Sequence, residues 1–162
     1  MHIICEHNIF VLTIYLFTIK TRFMWTGTYS LVTKDVTKEQ MWKLFSDVNN
    51  WQKWDEGIDY AKMEGKFEVG NFFQLKPKGS PEVKIKLIES IENEKYVDLT
   101  HFPLAKMTGT HLLEETAEGI KITTTMKVWG LLSFLWVKLV AKKIVDDLSE
   151  DMNNQVDFAK KL

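Results

Sequence analysis

From Trp25 onward, apolar and polar positions alternate with a period of two along most of the chain; an early segment and the chain's end follow a helical period instead. Trp25–Thr33 (WTGTYSLVT) is rich in β-forming residues and predicts a first strand. Met41, Trp42, Leu44, Phe45 and Val48 then recur at helical spacing. Asp35 or Thr37 can cap the next helix, and Thr37 and Gln40 stand three apart, as a capping box requires, so a helix is predicted over about 37–48. Beyond Trp51-x-x-Trp54-Asp55, strands are predicted near 58–65, 70–78, 82–92, 95–102, 105–116 and 119–129. The links between them carry turn chemistry, among them Lys78-Gly-Ser-Pro81, Glu92-Asn-Glu94, Phe102-Pro-Leu104 and Glu118-Gly119. Links this short join antiparallel neighbours, which argues for a meander and against a parallel nucleotide-binding sheet.

The alternation also assigns faces. Val83, Ile85 and Leu87 oppose Glu82, Lys84 and Lys86, so one side of the sheet is covered and the other is wet. By the same rule Val97, Leu99 and His101 are expected inside, opposite Tyr96, Asp98 and Thr100. Met107, His111 and Leu113 share the inner parity, as do Ile120, Ile122, Thr124, Met126 and Val128. The cover is expected to be a closing helix from Leu131 to about Lys160, roughly 45 Å long. Its apolar stripe would be Leu135, Leu139, Leu148, Met152, Val156 and Ala159, with Asp146, Asp147, Glu150 and Asp151 facing away. A single helix cannot fill the concave face of seven strands, so the leftover space is the expected binding site. Residues 131–140 are apolar on every side and need further cover from loops at a cavity mouth, a second copy or a membrane. Trp136 is expected near that mouth.

Several stretches together resemble a known superfamily. These are Ser46-Asp-Val48 before Trp51-x-x-Trp54-Asp55, then Phe72-x-x-Leu75-x-Pro77-x-Gly79, then Gly119-Ile-Lys-Ile122-Thr, then Val128-x-Gly130 and the closing helix. They resemble the START/Bet v 1-like (SRPBCC) superfamily, in its polyketide cyclase/dehydrase and lipid transport branch, over about residues 25–160. The resemblance implies an α+β helix-grip fold: a curved seven-stranded antiparallel sheet wrapped around a long C-terminal helix, two short helices after the first strand, and a deep apolar cavity. It says little about the ligand, because fold and function separate in such families.

Composition narrows the reading further. With 162 residues the chain is expected to carry one domain over 24–162, preceded by an extension at 1–23. Its net charge of −1, with both signs interspersed, leaves no electrostatic footprint for nucleic acid. The single Cys5 excludes an internal disulfide and a thiolate metal cluster, and no N-x-[ST] acceptor occurs; a reducing cytoplasm is the expected compartment. Ile9–Ile19 is an apolar run of eleven residues, short of the about 20 that span a bilayer. It lacks the basic leader and small-residue cleavage site of a signal peptide. It reads as upstream sequence before a start at Met24, as a membrane-proximal anchor, or as an extra element. The segments 9–19 and 131–140 are the two candidates for membrane contact.

Candidate chemistry is sparse. His101 and His111 are the residues able to shuttle protons near neutral pH, although a lone inward histidine more often holds a backbone carbonyl or a water. Neither has a carboxylate at ligand spacing on its face, so no metal site is expected, and no cofactor motif occurs. Trp51 and Trp54 are expected to pack and Asp55 to cap a turn; Glu114 and Glu115 point to opposite faces and cannot converge. The expected ligand lining is Phe73, Leu75, Val97, Leu99, His101, Met107, His111, Thr124, Met126 and Trp136. The expected function is binding of a small hydrophobic molecule (a lipid, an isoprenoid or an aromatic metabolite) as carrier or sensor. The alternative is a cyclase or dehydrase with a pocket histidine as general acid and base.

Overall fold

In the computed structural model, which describes residues 24–162, the seven predicted strands form one antiparallel sheet. The Ile9–Ile19 run and Cys5 lie outside the described residues. β1 (Met24–Thr33) occupies one edge and β2 (Ile58–Met63) the other. From β2 the order runs back through β3 (Phe72–Pro77), β4 (Val83–Ile91), β5 (Lys95–Phe102), β6 (Ala105–Thr116) and β7 (Gly119–Gly130) to β1. Every pairing from β2 to β7 joins strands consecutive in sequence, as short turns dictate, and the return of β1 onto β7 completes the sheet.

Between β1 and β2 lie α1 (Lys38–Ser46) and a 3-10 turn (Val48–Lys53). The capping box forms as expected: Gln40 N–H donates to Thr37 Oγ1 (3.2 Å) and Thr37 N–H to Gln40 Oε1 (3.0 Å). Met41, Leu44 and Phe45 are buried on the inner face of α1. Asn49 anchors the turn to the edge strand, donating to the Met63 carbonyl (3.2 Å) and accepting from Met63 N–H (2.9 Å). This blunts one end of an otherwise open edge. Trp51 is buried, its Nε1–H donating to the Phe45 carbonyl (3.1 Å) and its ring meeting Phe73 edge-on at 5.2 Å. Asp55 closes the segment by accepting from Gly57 N–H (2.8 Å).

The closing helix, α2, has three consecutive parts: α-helical Ser133–Trp136, a π-helical turn Val137–Ala141, and α-helical Lys142–Ala159. The wider turn changes the phase of the buried stripe. Leu148, Met152, Val156 and Ala159 face the core as expected, but Leu135 and Leu139 turn outward and Ala141 is the buried residue of the π turn. Helix and sheet approach closely at Gly27, where a side chain would stand 2.8 Å from Val145 Cγ2 and 2.7 Å from the Trp25 ring. Tyr29 Oη and Ser149 Oγ bond at 3.0 Å beside this contact.

Two apolar clusters fill the space between sheet and helices. The larger joins α1, the 3-10 turn, the distal part of α2 and much of the sheet, around Phe45, Trp51, Phe73, Leu87, Ile122 and Met152. The smaller lies at the start of α2 and centres on Met107, Met126, Val128 and Ala141. Burying each large apolar side chain is worth about 1.5–3 kcal/mol, so these clusters carry most of the fold's stabilisation. These side chains fill much of the space expected under the helix. A niche between α1, the 3-10 turn and the end of α2, lined by Leu44, Asp47, Asn50, Trp54, Phe158 and Leu162, holds about 10 Å³, on the order of a single water's needs.

Candidate functional site

The register of the sheet aligns three transverse rows of side chains on the inner face. Tyr29, Thr124, His111 and Tyr96 are successive cross-strand partners from β1 to β5. The next row is Gly27, Met126, Gly109, Asp98 and Leu87, and the third is Trp25, Val128, Met107, Thr100 and Ile85. Polar residues therefore sit in a band between the two apolar clusters.

This placement reverses the expected parity of β5. Asp98 and Thr100 are inside and buried, while His101 is exposed, paired with exposed Lys106 on the outer face. Val97 and Leu99 share the parity of His101, opposite Thr110 and Thr108, while Val97 is itself buried. The physical reason is a polar network that makes an inward carboxylate tolerable. Asp98 Oδ1 accepts from Gly109 N–H (3.2 Å), and Asp98 Oδ2 lies 3.3 Å from His111 Nε2. A β-bulge in β4, with exposed Ile88 between Leu87 and Glu89, helps to set the register.

His111 keeps its expected inward position. Its Nδ1 lies 3.2 Å from Thr124 Oγ1, and its ring stacks on Tyr96 with centroids 4.2 Å apart and planes within 7°. Because a carboxylate only accepts, His111 Nε2 carries the hydrogen directed at Asp98, and in the neutral ring Nδ1 accepts from the Thr124 hydroxyl. Both ring nitrogens are thus engaged by the protein. Burial, and then the neighbouring Asp98 carboxylate, push the Tyr96 phenol well above its usual range. Thr100 Oγ1 has no such partner: it is buried beside Met107 and, among the described residues, is the buried side-chain polar atom left without a hydrogen bond.

Of the expected lining residues, Met107, His111, Thr124, Met126 and Trp136 do converge around the polar band and the smaller cluster. Trp136 stacks on Phe102 with centroids 4.4 Å apart, and its Nε1–H donates to the Pro103 carbonyl (3.0 Å), which places it at the β5–β6 hairpin. Phe73 and Leu75 belong to the larger cluster instead, around Trp51. Asp98 and Thr100 are not legible as inward residues from alternation alone. The signal that could have found Asp98 is Gly109, its cross-strand partner, which leaves room above the carboxylate. Among the described residues no three of His, Cys, Asp and Glu are grouped to hold a metal ion. No helix among them is long and apolar enough to cross a membrane.

A curved antiparallel sheet gripping one long helix, with two short helical elements bridging β1 and β2, defines a Bet v 1-like helix-grip protein. The chain belongs to the family described as polyketide cyclase/dehydrase and lipid transport, whose model matches residues 24–156. Solved structures agree on the fold. Ara h 8.0201 is similar at 15% identity and a TM-score of 0.66, over 86% of this chain and 99% of that one. A Thalictrum norcoclaurine synthase point mutant in complex with a transition-state analogue is similar at 13% identity and a TM-score of 0.65, over 85% and 94%. The di-domain ARO/CYC StfQ from the steffimycin biosynthetic pathway is similar at 16% identity and a TM-score of 0.67, over 90% of this chain and 52% of StfQ. No curated protein sequence matches the chain.

Proposed function

We propose that this protein binds a small, mostly apolar molecule carrying one polar end, and holds it without transforming it. The observation that carries the reading is the buried Thr100 hydroxyl, an unsatisfied donor set against Met107 at the edge of the methionine-containing cluster. An orphaned polar atom among apolar side chains is what a ligand's oxygen would satisfy. The surrounding cluster suits displacement: methionines repack readily, and a π turn marks the part of α2 that closes over them. Ligand entry in this reading means that Met107, Met126 and the start of α2 give way.

The second reading, a cyclase or dehydrase, is favoured by the family and by the likeness to an ARO/CYC structure. It needs a free acid or base, and His111 spends both nitrogens on Asp98 and Thr124 while His101 faces outward. The carrier reading is therefore the stronger.

The test is gentle purification of the full chain, organic extraction and mass spectrometry, with anilinonaphthalene sulfonate as the binding probe. One apolar species with a hydroxyl or carbonyl end should co-purify, and the emptied protein should take up the probe. Thr100→Val should weaken rebinding of the extracted species about tenfold, with no loss of stability. A protein that retains nothing and ignores the probe would overturn the reading.

A further inference from the structure

Three segments of this chain carry cations and no carboxylate, and the fold brings parts of them together. No Asp or Glu occurs in residues 24–34, 99–113 or 119–145. Parts of all three segments meet at one end of the domain. Leu132 N–H donates to the Leu104 carbonyl (3.2 Å), Gly130 pairs with Ala105, and Met24 pairs with Trp129. This end carries exposed Lys106, Lys127, Lys138 and Lys143, none of them in an ion pair among the described residues. Its tip is apolar: Leu104 is 63% exposed, Leu139 59% and Leu131 56%. The acidic side chains of α2 begin only at Asp146 and continue away from it through Asp147, Glu150 and Asp151.

We propose that this end docks on a lipid bilayer bearing anionic headgroups, with Leu104, Leu131 and Leu139 entering the interface and the four lysines resting among the headgroups. Exposed leucines beside unpaired lysines, on three segments that carry no carboxylate, match such a surface in both polarity and charge. Glu82 and Asp59, at the same end of the sheet but on the β2–β4 side, are engaged by Tyr60 and Lys76. Residues 1–23 strengthen the match by their point of attachment. They join the fold at Met24, on the same end, and repeat the same chemistry, with the Ile9–Ile19 run followed by Lys20 and Arg22. The outward turn of Leu139 thereby gains a use, since the π turn removes it from the core and presents it beside Lys138.

The experiment is co-sedimentation of the full chain with vesicles of phosphatidylcholine, alone or with about one third phosphatidylserine. Binding to the serine-containing vesicles should be at least about tenfold tighter and should weaken with added salt. The double variant Leu104→Glu/Leu139→Glu should lose vesicle binding while keeping its circular dichroism and melting temperature; Leu104→Ser/Leu139→Ser serves if the charged pair fails to fold. Lys138→Glu/Lys143→Glu should abolish the preference for phosphatidylserine. Absence of vesicle binding by the unmodified chain would overturn the proposal. So would unchanged binding by the leucine variants, which would assign the membrane contact to residues 1–23 alone. A dimer that Leu139→Glu dissolves would instead make a second copy the occupant and overturn it too. Cargo plays no part in these readouts, so they stand or fall apart from the ligand reading.

Discussion

Asp98 and His111 meet across the one inner position of β6 that has no side chain. Gly109 lies between them, its N–H donating to Asp98 Oδ1 (3.2 Å) while Asp98 Oδ2 stands 3.3 Å from His111 Nε2. A Cβ at Gly109 would fall 2.6 Å from Oδ2 and 3.0 Å from Nε2. The glycine is therefore required by the network rather than by any turn. Gly109→Ala should push the carboxylate off the imidazole and cost about 1–3 kcal/mol. In thermal unfolding this corresponds to a midpoint lowered by about 3–10 °C. An unchanged midpoint would mean that the Asp98–His111 contact contributes nothing to stability.

Removing the acceptor should cost as much as crowding it. Asp98→Ala leaves the Gly109 N–H and the His111 Nε2–H without their acceptor inside the sheet. Unsatisfied buried donors cost about 1–3 kcal/mol each, less where water can reach them. Urea unfolding should show about 2–3 kcal/mol lost, whereas Asp98→Asn should lose less because its carbonyl still accepts one of the two. Equal losses for the two variants would show that charge, not hydrogen bonding, holds the pair.

The Trp51-x-x-Trp54-Asp55 segment supports the structure around it. Trp51 ties the 3-10 turn to α1 through the Phe45 carbonyl and fills space against Phe73. Trp51→Phe should retain part of the packing but orphan that carbonyl, at a cost of about 1–3 kcal/mol. Trp51→Ala should cost about 3–5 kcal/mol. Chemical denaturation separates the two. Near-equal losses would indicate that the ring's volume matters little there.

Leu139 and Leu148 look equivalent in a helical pattern, and the π turn makes them different. Leu148 faces the core and Leu139 is turned out. Leu148→Ala should therefore destabilise by about 2–5 kcal/mol, and Leu139→Ala by less than about 0.5 kcal/mol. Comparable losses in denaturant would return Leu139 to the core.

Strand order, hairpins, the capping box and the inner residues of β4, β6 and β7 were legible because each rests on local chemistry. Alternation, turn residues and cap spacing are properties of neighbouring positions. Three features were not legible, because none is a property of neighbouring positions alone. The parity of β5 depends on Asp98 finding Gly109 and His111 on another strand, so hydrophobicity alone turned Val97 and Leu99 inward. The phase of α2 depends on one wide turn that a periodic stripe cannot reveal. How far the space beneath the helix is filled depends on how rings such as Phe45 and Tyr96 interlock, at 5.3 Å and 65°. Long-range satisfaction of polar groups decides the first of these, backbone geometry the second and ring packing the third. Asp98 and Thr100 are hidden because polar residues on a strand read as its wet face.

Asp151 gives the fold a pH dependence whose sign is unusual for a carboxylate. Burial, then the charges of Asp55, Asp147 and Glu150, raise it from 3.8 to about 6. Burial likewise raises Asp55, against the pull of the Gly57 N–H. Between pH 3.8 and about 6 the folded chain holds a proton at Asp151 that the unfolded chain has released, so stability falls as pH rises through this window. Above it the full penalty persists, and below it the penalty vanishes. Asp151 is only half-buried, so solvent screening reduces the effect to on the order of 1 kcal/mol. Asp151→Asn should match the unmodified protein near pH 4 and exceed it in melting temperature from about pH 6 upward, by about 2–4 °C. Thermal unfolding across that range checks both ends. A variant that is equally stable at neutral pH, or less stable, would show that Asp151 gains from its charge rather than suffering from it.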